Sequence, residues 1–195
     1  MPPRIPLAIN GRDTLSKGQQ TRERILAAAR CRFSAHSYES VGTRDIATDA
    51  GVDAALVNRY FGSKENLFTA VIEGSFRIEE HLPEHLDDLG TFLAKQVLDD
   101  DDSDETFDSL RVLLRAAGNR DIAPLVSRQF QAEFVLPLAK LLRGRDAEVR
   151  AATIASYVIG LATMRHGLSS PSLSGTARMR ISAGLVASAI QACVR

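Results

Sequence analysis

One short stretch in the N-terminal third of the chain contains the residues whose spacing most clearly indicates a function. Ala47, Gly51 and Val57 follow one another at intervals of four and six residues. Two helices that cross steeply need a small residue at the crossing, a turn residue that accepts positive φ, and an apolar residue pointing back. The spacing predicts a helix-turn-helix, with Ala54–Phe61 as the helix that enters a DNA major groove. A tight corner between two helices, without any DNA role, fits the same spacing.

Capping residues and glycines predict four helices around this motif. Thr21 is the expected N-cap of a first helix that ends near His36. Thr43 caps a short second helix, and Gly51 ends it. The remaining signals are the caps Asp53 and Ser63 of the third and fourth helices, the terminator Gly62, and an apolar face on the fourth helix formed by Leu67, Phe68, Val71, Ile72 and Phe76.

The rest of the chain also has a helical pattern, so the sequence predicts an all-α protein. Val, Ile and Thr show no sustained alternation of the kind that strands require. Pro137 should kink or break the helix that contains it. The acidic run Asp99–Glu105 and the segment Gly167–Gly175 are expected to be loops. The expected helices are Leu86–Val97, Thr106–Ala117, Ile122–Leu142, Asp146–His166 and Thr176–Val194.

Composition and charge narrow the class of protein. The 195 residues carry 24 Lys and Arg against 24 Asp and Glu, but residues 1–64 have a net charge of +4 and the remainder −4. A basic N-terminal module favours a nucleic acid or a membrane surface as partner. Only Cys31 and Cys193 are present, which excludes a disulfide scaffold and favours a reducing compartment. With neither a secretory signal nor a spanning segment in the sequence, the expected location is the cytoplasm.

The sequence shows no motif of an enzyme, a metal site or a cofactor site. The GxSxG, HExxH, P-loop and GxGxxG patterns are all missing. His81 and His85 are four residues apart, but Pro83 breaks the helix that would align them for a metal. We therefore expect no catalytic activity, no metal and no cofactor.

The longer stretch Thr21–Glu73 resembles the DNA-binding domain of the tetracycline-repressor (TetR) family of bacterial regulators. The most specific match is the run from Tyr60 to Leu67, which reads Tyr-Phe-x-Ser-Lys-Glu-x-Leu. Two residues depart from the family pattern: Asp53 stands where Ser or Thr is common, and Asn58 where Tyr is common. The other matching segments are Thr21–Ala29, Phe33, Gly42–Ala47 and Ala50–Val52.

The resemblance implies a set of DNA contacts. Thr43, Tyr60 and Lys64 match positions that contact phosphates, and helix N-termini suit that role for Thr43 and Lys64. Arg44 matches a position that can reach base edges, and Asn58 can offer two hydrogen bonds to adenine. Each side chain also has a purely structural interpretation, as a solvated cation, a packed aromatic ring or a good helix former. The complete candidate set is Thr43, Arg44, Ala54, Ala55, Asn58, Arg59, Tyr60 and Lys64.

The resemblance also implies a larger helical domain that binds a ligand and forms a dimer. Candidates to line a mainly apolar ligand cavity are Phe76, Phe92, Phe107, Leu113, Leu114, Phe130, Phe134 and Met164, and a plain hydrophobic core is the alternative. Arg111 and Arg115, one helical turn apart, could grip an acidic ligand or form a solvated face.

Two uncharged runs, Ala151–Met164 and Ile181–Val194, lack the charged outer stripe of a surface helix. A second copy of the chain could cover them, although both could instead lie in the core of a monomer. The expected dimer contacts are Tyr157, Leu161, Ala183, Gly184, Ala187 and Ile190.

Together these features predict a transcription regulator, a homodimer that binds a palindromic operator in double-stranded DNA and is a repressor released by a small, mainly apolar effector. The expected division is a flexible arm at 1–20, a DNA-binding domain at 21–66 and an effector and dimerisation domain at 67–195. The alternative is a helical ligand-binding or adaptor protein without a DNA role.

Overall fold

The computed structural model describes residues 16–98, 112–116, 118–168 and 170–195. Its helices confirm the predicted all-α class, and no strand occurs among these residues. Phe107, Arg111 and the acidic run Asp99–Glu105 lie outside the described residues. The helices are α1 (Lys17–Ala35), α2 (Thr43–Asp49), α3 (Ala54–Phe61), α4 (Lys64–Ile72), α5 (Leu89–Leu98), α6 (Ala123–Phe130), α7 (Leu136–Leu141), α8 (Ala147–Ala162) and α9 (Thr176–Val194).

The first helix begins earlier than its sequence suggested. Ser16 is the N-cap: its hydroxyl accepts a hydrogen bond from the backbone N–H of Gln19, whose side chain accepts one from Ser16 N–H. This capping box leaves no capping role for Thr21, whose hydroxyl donates to the carbonyl of Lys17 inside the helix. The prediction of Thr21 as N-cap was therefore wrong, and residues 17–20 belong to α1 rather than to an arm.

The predicted limits of the next helices hold almost to the residue. The side chains of Asp53 and Ser63 cap α3 and α4 by accepting hydrogen bonds from backbone N–H groups. Gly51 and Gly62 have φ values of 62° and 78°, which a residue with a Cβ rarely adopts. Gly42 is the N-cap of α2, so Thr43 is its first residue rather than its cap. Helix α4 ends at Ile72, so the buried Phe76 belongs to the segment after α4 and not to its face.

A π-helical turn at Gln131–Val135 joins α6 to α7 where a kink or break was expected. Pro137 has no N–H to donate to the carbonyl four residues earlier, and its ring would crowd that carbonyl. The wider turn resolves this conflict, because the N–H of Leu136 bonds instead to the carbonyl of Gln131. The chain therefore stays helical from α6 through α7, and the proline changes only the register.

The C-terminal helix is fixed to the body of its own chain. Helix α9 approaches α5 so closely that a Cβ on Gly90 would collide with the carbonyl oxygen of Ala187. Gln191 of α9 accepts from Gly90 N–H in α5 and donates to the carbonyl of Leu86 just before α5, both at 3.0 Å. The guanidinium of Arg150 on α8 donates to the last carbonyls of the chain, including that of Cys193 at 3.2 Å. Among the described helices, none has both the length and the apolar content to cross a membrane.

Candidate nucleic-acid interface

Helix α3 presents a polar outer face and an apolar inner one. Val57 and Phe61 are buried, and they fix the rotation of the helix against α1, α2 and α4. Ala55, Asn58 and Arg59 are exposed on the opposite side. Ala54, at the start of the helix, is half-buried and packs against the core, and its contact with DNA stays a prediction.

Two arginines of the motif have free guanidinium groups. Arg44 on α2 and Arg59 on α3 are exposed, and within the described residues neither forms an ion pair. Arg32 on α1 behaves differently: it holds Asp49 on α2 through two hydrogen bonds of 2.5 and 2.8 Å. The hydrogen bond from Arg32 also lowers the pKa of the Asp49 carboxyl. Arg32 thus fastens two helices together, whereas Arg44 and Arg59 are available to an external anion.

Tyr60, a predicted phosphate contact, is exposed at one edge of the motif. Its side chain is 36% exposed. The hydroxyl lies beside the first turn of α1, where a Cβ on Gly18 would be 3.3 Å away. Helix N-termini attract phosphate oxygens through their free N–H groups. Tyr60 and the start of α1 therefore lie side by side at one edge of the motif.

Lys64, a predicted phosphate contact, has an internal partner in this structure. Its ammonium donates to the carbonyl of Tyr38 at 2.5 Å and lies 4.2 Å from the centre of the Tyr38 ring. Partial burial lowers the pKa of Lys64, although the nearby carboxylates of Glu39 and Glu65 oppose this. Lys64 therefore joins the start of α4 to the loop after α1. This hydrogen bond uses one of the three ammonium donors, so the phosphate contact of Lys64 stays a prediction.

Three aromatic rings form the centre of the motif. Phe33 and Phe68 meet edge to face at 5.0 Å, and Tyr38 meets Phe68 in the same way at 5.3 Å. Burial raises the pKa of the Tyr38 hydroxyl to about 12, and the neighbouring Glu65 carboxylate adds to the shift. Tyr38 stays neutral at physiological pH, so it packs as an uncharged ring beneath Lys64.

The predicted ligand-cavity residues are distributed unevenly. Phe76, Phe130 and Phe134 form one aromatic group, with centroid distances of 5.4 Å for Phe76–Phe130 and 5.0 Å for the stacked pair Phe130–Phe134. Met164 is 42% exposed, so it does not line an enclosed space within one chain, contrary to its prediction. Arg115 is exposed. The other described candidates, Phe92, Leu113 and Leu114, are buried or half-buried.

The predicted dimer residues divide between two faces. Tyr157 on α8 and Gly184 on α9 are exposed. Leu161 and Ile190 are buried in their own chain, and Ala183 packs against the same core. Ala187 lies against Gly90 of α5. Leu161 and Ile190 are therefore covered by their own chain, whereas Ala183 and Ala187 remain partly exposed and stay predicted dimer contacts.

Two polar residues that connect the motif to the helical domain were not among the predicted sites. Glu133, in the π-helical turn, accepts hydrogen bonds from the N–H groups of Gly74 and Phe76 just after α4. The buried Asn119 accepts from Asp121 N–H at 2.8 Å and donates to the carboxylate of Glu39. Glu133 could have been noticed in the sequence, because it is an acidic residue in a largely apolar stretch and lies four positions before a proline inside a predicted helix. Asn119 offered only the usual signature of a helix-start residue.

Comparison with known proteins agrees with this architecture. The family model for the tetracyclin repressor-like C-terminal domain matches residues 87–194, and the model for bacterial regulatory proteins of the tetR family matches residues 25–71. The HTH-type transcriptional dual regulator CecR of Shigella flexneri is 41% identical over 54 residues, which are 28% of this chain. The match spans only 24% of that relative's length.

Solved structures resemble the chain over almost its whole length. A TetR-family regulator from Streptomyces coelicolor A3 is 28% identical with a TM-score of 0.57, covering 95% of this chain and 99% of the other. NalD, the secondary repressor of the MexAB-OprM multidrug efflux pump in Pseudomonas aeruginosa, shares the fold at 19% identity and a TM-score of 0.66, covering 92% and 97% of the two chains. The C-terminal family model alone covers more than half of the chain. The chain therefore belongs to the tetR family of bacterial regulatory proteins.

Proposed function

We propose that the protein is a dimeric, sequence-specific DNA-binding regulator that acts in the cytoplasm as a repressor and is released by a small, mainly apolar ligand. The observation that carries the proposal is the free polar face of α2 and α3. Arg44, Asn58 and Arg59 are exposed there, and the helices beneath them are rigidly packed. A polyanion with readable base edges matches such a face.

The side chains of this face take different roles. Arg44 and Arg59 supply positive charge to the phosphate backbone, and Arg44 also lies where it can reach a base edge. Thr43 and Tyr60 hydrogen-bond to phosphates, while Asn58 recognises a base. Ala55 allows the helix to approach the groove closely. Lys64 acts beneath this surface by holding the start of α4 in place.

A second copy of the chain is the proposed partner of the outer face of α8 and α9. Large apolar residues are exposed here, with Ile181 at 65% and Leu185 at 68%. Gly160 and Gly184 face open space, since no atom lies within 4 Å of a Cβ built on either. Soluble monomers rarely expose so continuous an apolar surface. The proposed contact residues are Val149, Tyr157, Gly160, Met164, Leu168, Ile181, Gly184, Leu185, Ser188 and Ala192.

The ligand is proposed to enter beside the aromatic group of Phe76, Phe130 and Phe134. These rings lie between α4 and the helical domain, so a ligand there would act on the position of α4. Two recognition helices of a dimer must be about 34–36 Å apart to read successive major grooves of B-DNA. A shift of α4 would change that separation, and coupling of about 1–3 kcal/mol would suffice for regulation.

Selection of bound fragments from the source genome tests this function. The purified protein is mixed with sheared genomic duplexes, and the retained fragments are sequenced. We expect a palindromic motif whose half-sites are about one helical turn apart. Fragments retained without any shared motif would contradict sequence-specific recognition.

A further inference from the structure

The carboxylate of Glu133 joins the two domains at the end of α4. Its Oε1 accepts from Gly74 N–H at 2.6 Å and its Oε2 from Phe76 N–H at 3.0 Å. Gln129 donates to the same Oε1 at 2.5 Å, which orients the carboxylate. Hydrogen bonds from backbone N–H groups to a charged acceptor are stronger than those to a neutral one. One side chain of the helical domain thus holds the backbone that follows the DNA-binding motif.

The helical register that presents Glu133 is unusual. Glu133 is the middle residue of the π-helical turn Gln131–Val135, and Pro137 lies four residues beyond it. In a regular α-helix each residue turns by about 100°, so a change of register would rotate the carboxylate away from Gly74. Short π-helical turns inside α-helices are frequent at functional sites. The position of Glu133 therefore depends on a local register that a neighbour could alter.

The aromatic group lies on the same elements. Phe134 is the next residue after Glu133 in the turn, Phe130 immediately precedes the turn, and Phe76 provides one of the two N–H groups that Glu133 holds. Phe130 and Phe134 flank Glu133 in the chain, so a molecule bound between their rings would act directly on the turn that presents the carboxylate. The turn also packs against α8, which carries the proposed dimer surface.

We propose that Glu133 is a coupling latch between α4 and the helical domain. While the rings of the aromatic group are in contact, its carboxylate keeps the hydrogen bonds to Gly74 and Phe76 and fixes α4. When a ligand separates the rings, these hydrogen bonds break. This proposal rests on the proposed function, since it describes how that function is regulated. With the latch engaged, α3 of each protomer keeps a fixed position relative to α8. With the latch released, the position of α3 relative to α8 is no longer fixed. DNA binding then has to fix that position, so operator affinity falls.

The test compares Glu133→Gln with the matched control Glu73→Gln in the full-length protein. Both changes replace a carboxylate by an amide of the same shape. Glu73 is an exposed residue directly after α4, next to Gly74 in the chain. The carboxylate presents a separate oxygen to each of the two N–H groups, and in the amide one of those oxygens becomes an NH2 donor, which cannot accept from the N–H that faces it. The first measurement is hydrogen exchange of the 74–76 amides without DNA, and the second is operator affinity at several salt concentrations.

We expect exchange at 74–76 to become at least about tenfold faster in Glu133→Gln, and operator affinity to fall about tenfold with an unchanged salt slope. Glu73→Gln should match the wild type in both measurements. Pro137→Ala, which permits the regular α register, should reproduce the faster exchange although Glu133 is intact.

Two results would overturn the latch. Unchanged exchange in Glu133→Gln would show that the carboxylate does not hold these amides. Faster exchange with operator affinity within twofold of the wild type would show that Glu133 holds these amides but does not influence DNA binding. A wild-type protein that binds no duplex DNA would instead refute the proposed function. The exchange measurement is made without DNA, so it tests the contact between Glu133 and residues 74–76 independently of that outcome.

Discussion

The exposed faces of α3 and α9 differ in what they leave uncovered. Helix α3 buries Val57 and Phe61 and exposes Asn58 and Arg59, so its free groups are hydrogen-bonding and charged. Helix α9 has no charge between Ile181 and Val194, so both its covered and its open faces are apolar or weakly polar. Water solvates the first face well and the second poorly. This contrast supports the proposal that α3 stays exposed until DNA binds, whereas a second copy of the chain covers α9.

The largest expected effect comes from placing a charge on the apolar face. Leu185→Arg should weaken dimerisation by roughly 100-fold or more, because a second copy would have to bury an unpaired cation. Operator binding should weaken with it, since one protomer reads only one half-site. Sedimentation velocity measures the change. Ala27→Arg, an exposed position on α1, is the control and should remain dimeric; a dimeric Leu185→Arg protein would refute the assigned face.

A companion substitution tests the inward face of the same helix. Ile190→Ala should lower the free energy of unfolding of the chain itself by about 2–5 kcal/mol, because Ile190 is fully buried in its own chain and its truncation leaves a cavity. Urea denaturation measures this loss. An Ile190→Ala protein of unchanged stability that is simply monomeric would instead place Ile190 at the dimer contact.

A moderate effect is expected from the reading face of α3. Asn58→Ala should relax the choice of base at one position of each half-site, by about 1–3 kcal/mol. Competition with operators substituted one base pair at a time measures it, and Asn66→Ala on α4 provides the control. Equal losses on every sequence would show that Asn58 does not read a base.

A smaller effect is expected at Lys64, which has an internal partner in this structure. Lys64→Ala should reduce the free energy of unfolding by about 1 kcal/mol, because it removes a charge-assisted but partly exposed hydrogen bond to Tyr38. The salt dependence of DNA binding should not change. A salt slope that is shallower by about one unit in Lys64→Ala would show that Lys64 contacts a phosphate.

The smallest expected effect concerns the acid side of the pH profile. Arg32 lowers the pKa of Asp49 in the folded protein, so the pair stabilises the fold above the unfolded pKa of Asp49. That contribution is lost as the pH falls through the folded pKa, below about 4. The stability difference between the wild type and Asp49→Asn should therefore shrink from pH 7 to pH 3 in urea titrations. A stability difference that grows as the pH falls would contradict the stabilising role of the Arg32–Asp49 pair.

The sequence predicted the DNA-binding motif better than the helical domain, for a physical reason. Asp53, Ser63, Gly51 and Gly62 act on backbone groups within three or four residues, so their effects are readable locally. The orientation of α9 depends on packing against distant elements, and its uncharged sequence offers small and apolar residues on every side. Ile190, predicted as a dimer contact, is therefore found buried in its own chain instead.

Long-range contacts account for the other differences. Lys64 bonds to Tyr38, and Glu133 bonds to Gly74, through partners that are far apart in sequence. No local pattern distinguishes such a pairing from a solvated side chain. The TetR resemblance supplied the general plan of two domains, but not the residues by which this chain connects them.

The salt dependence of duplex binding is the most direct test of the central claim that the face of α2 and α3 binds DNA. Affinity of the dimer for a selected operator is measured from low to physiological salt, for the wild type and for Arg44→Ala/Arg59→Ala. We expect a steep negative log–log slope, about −0.9 for each phosphate contacted, and a slope shallower by roughly two units or more in the double variant. A wild-type slope near zero, or a double variant with the wild-type slope, would contradict the claim.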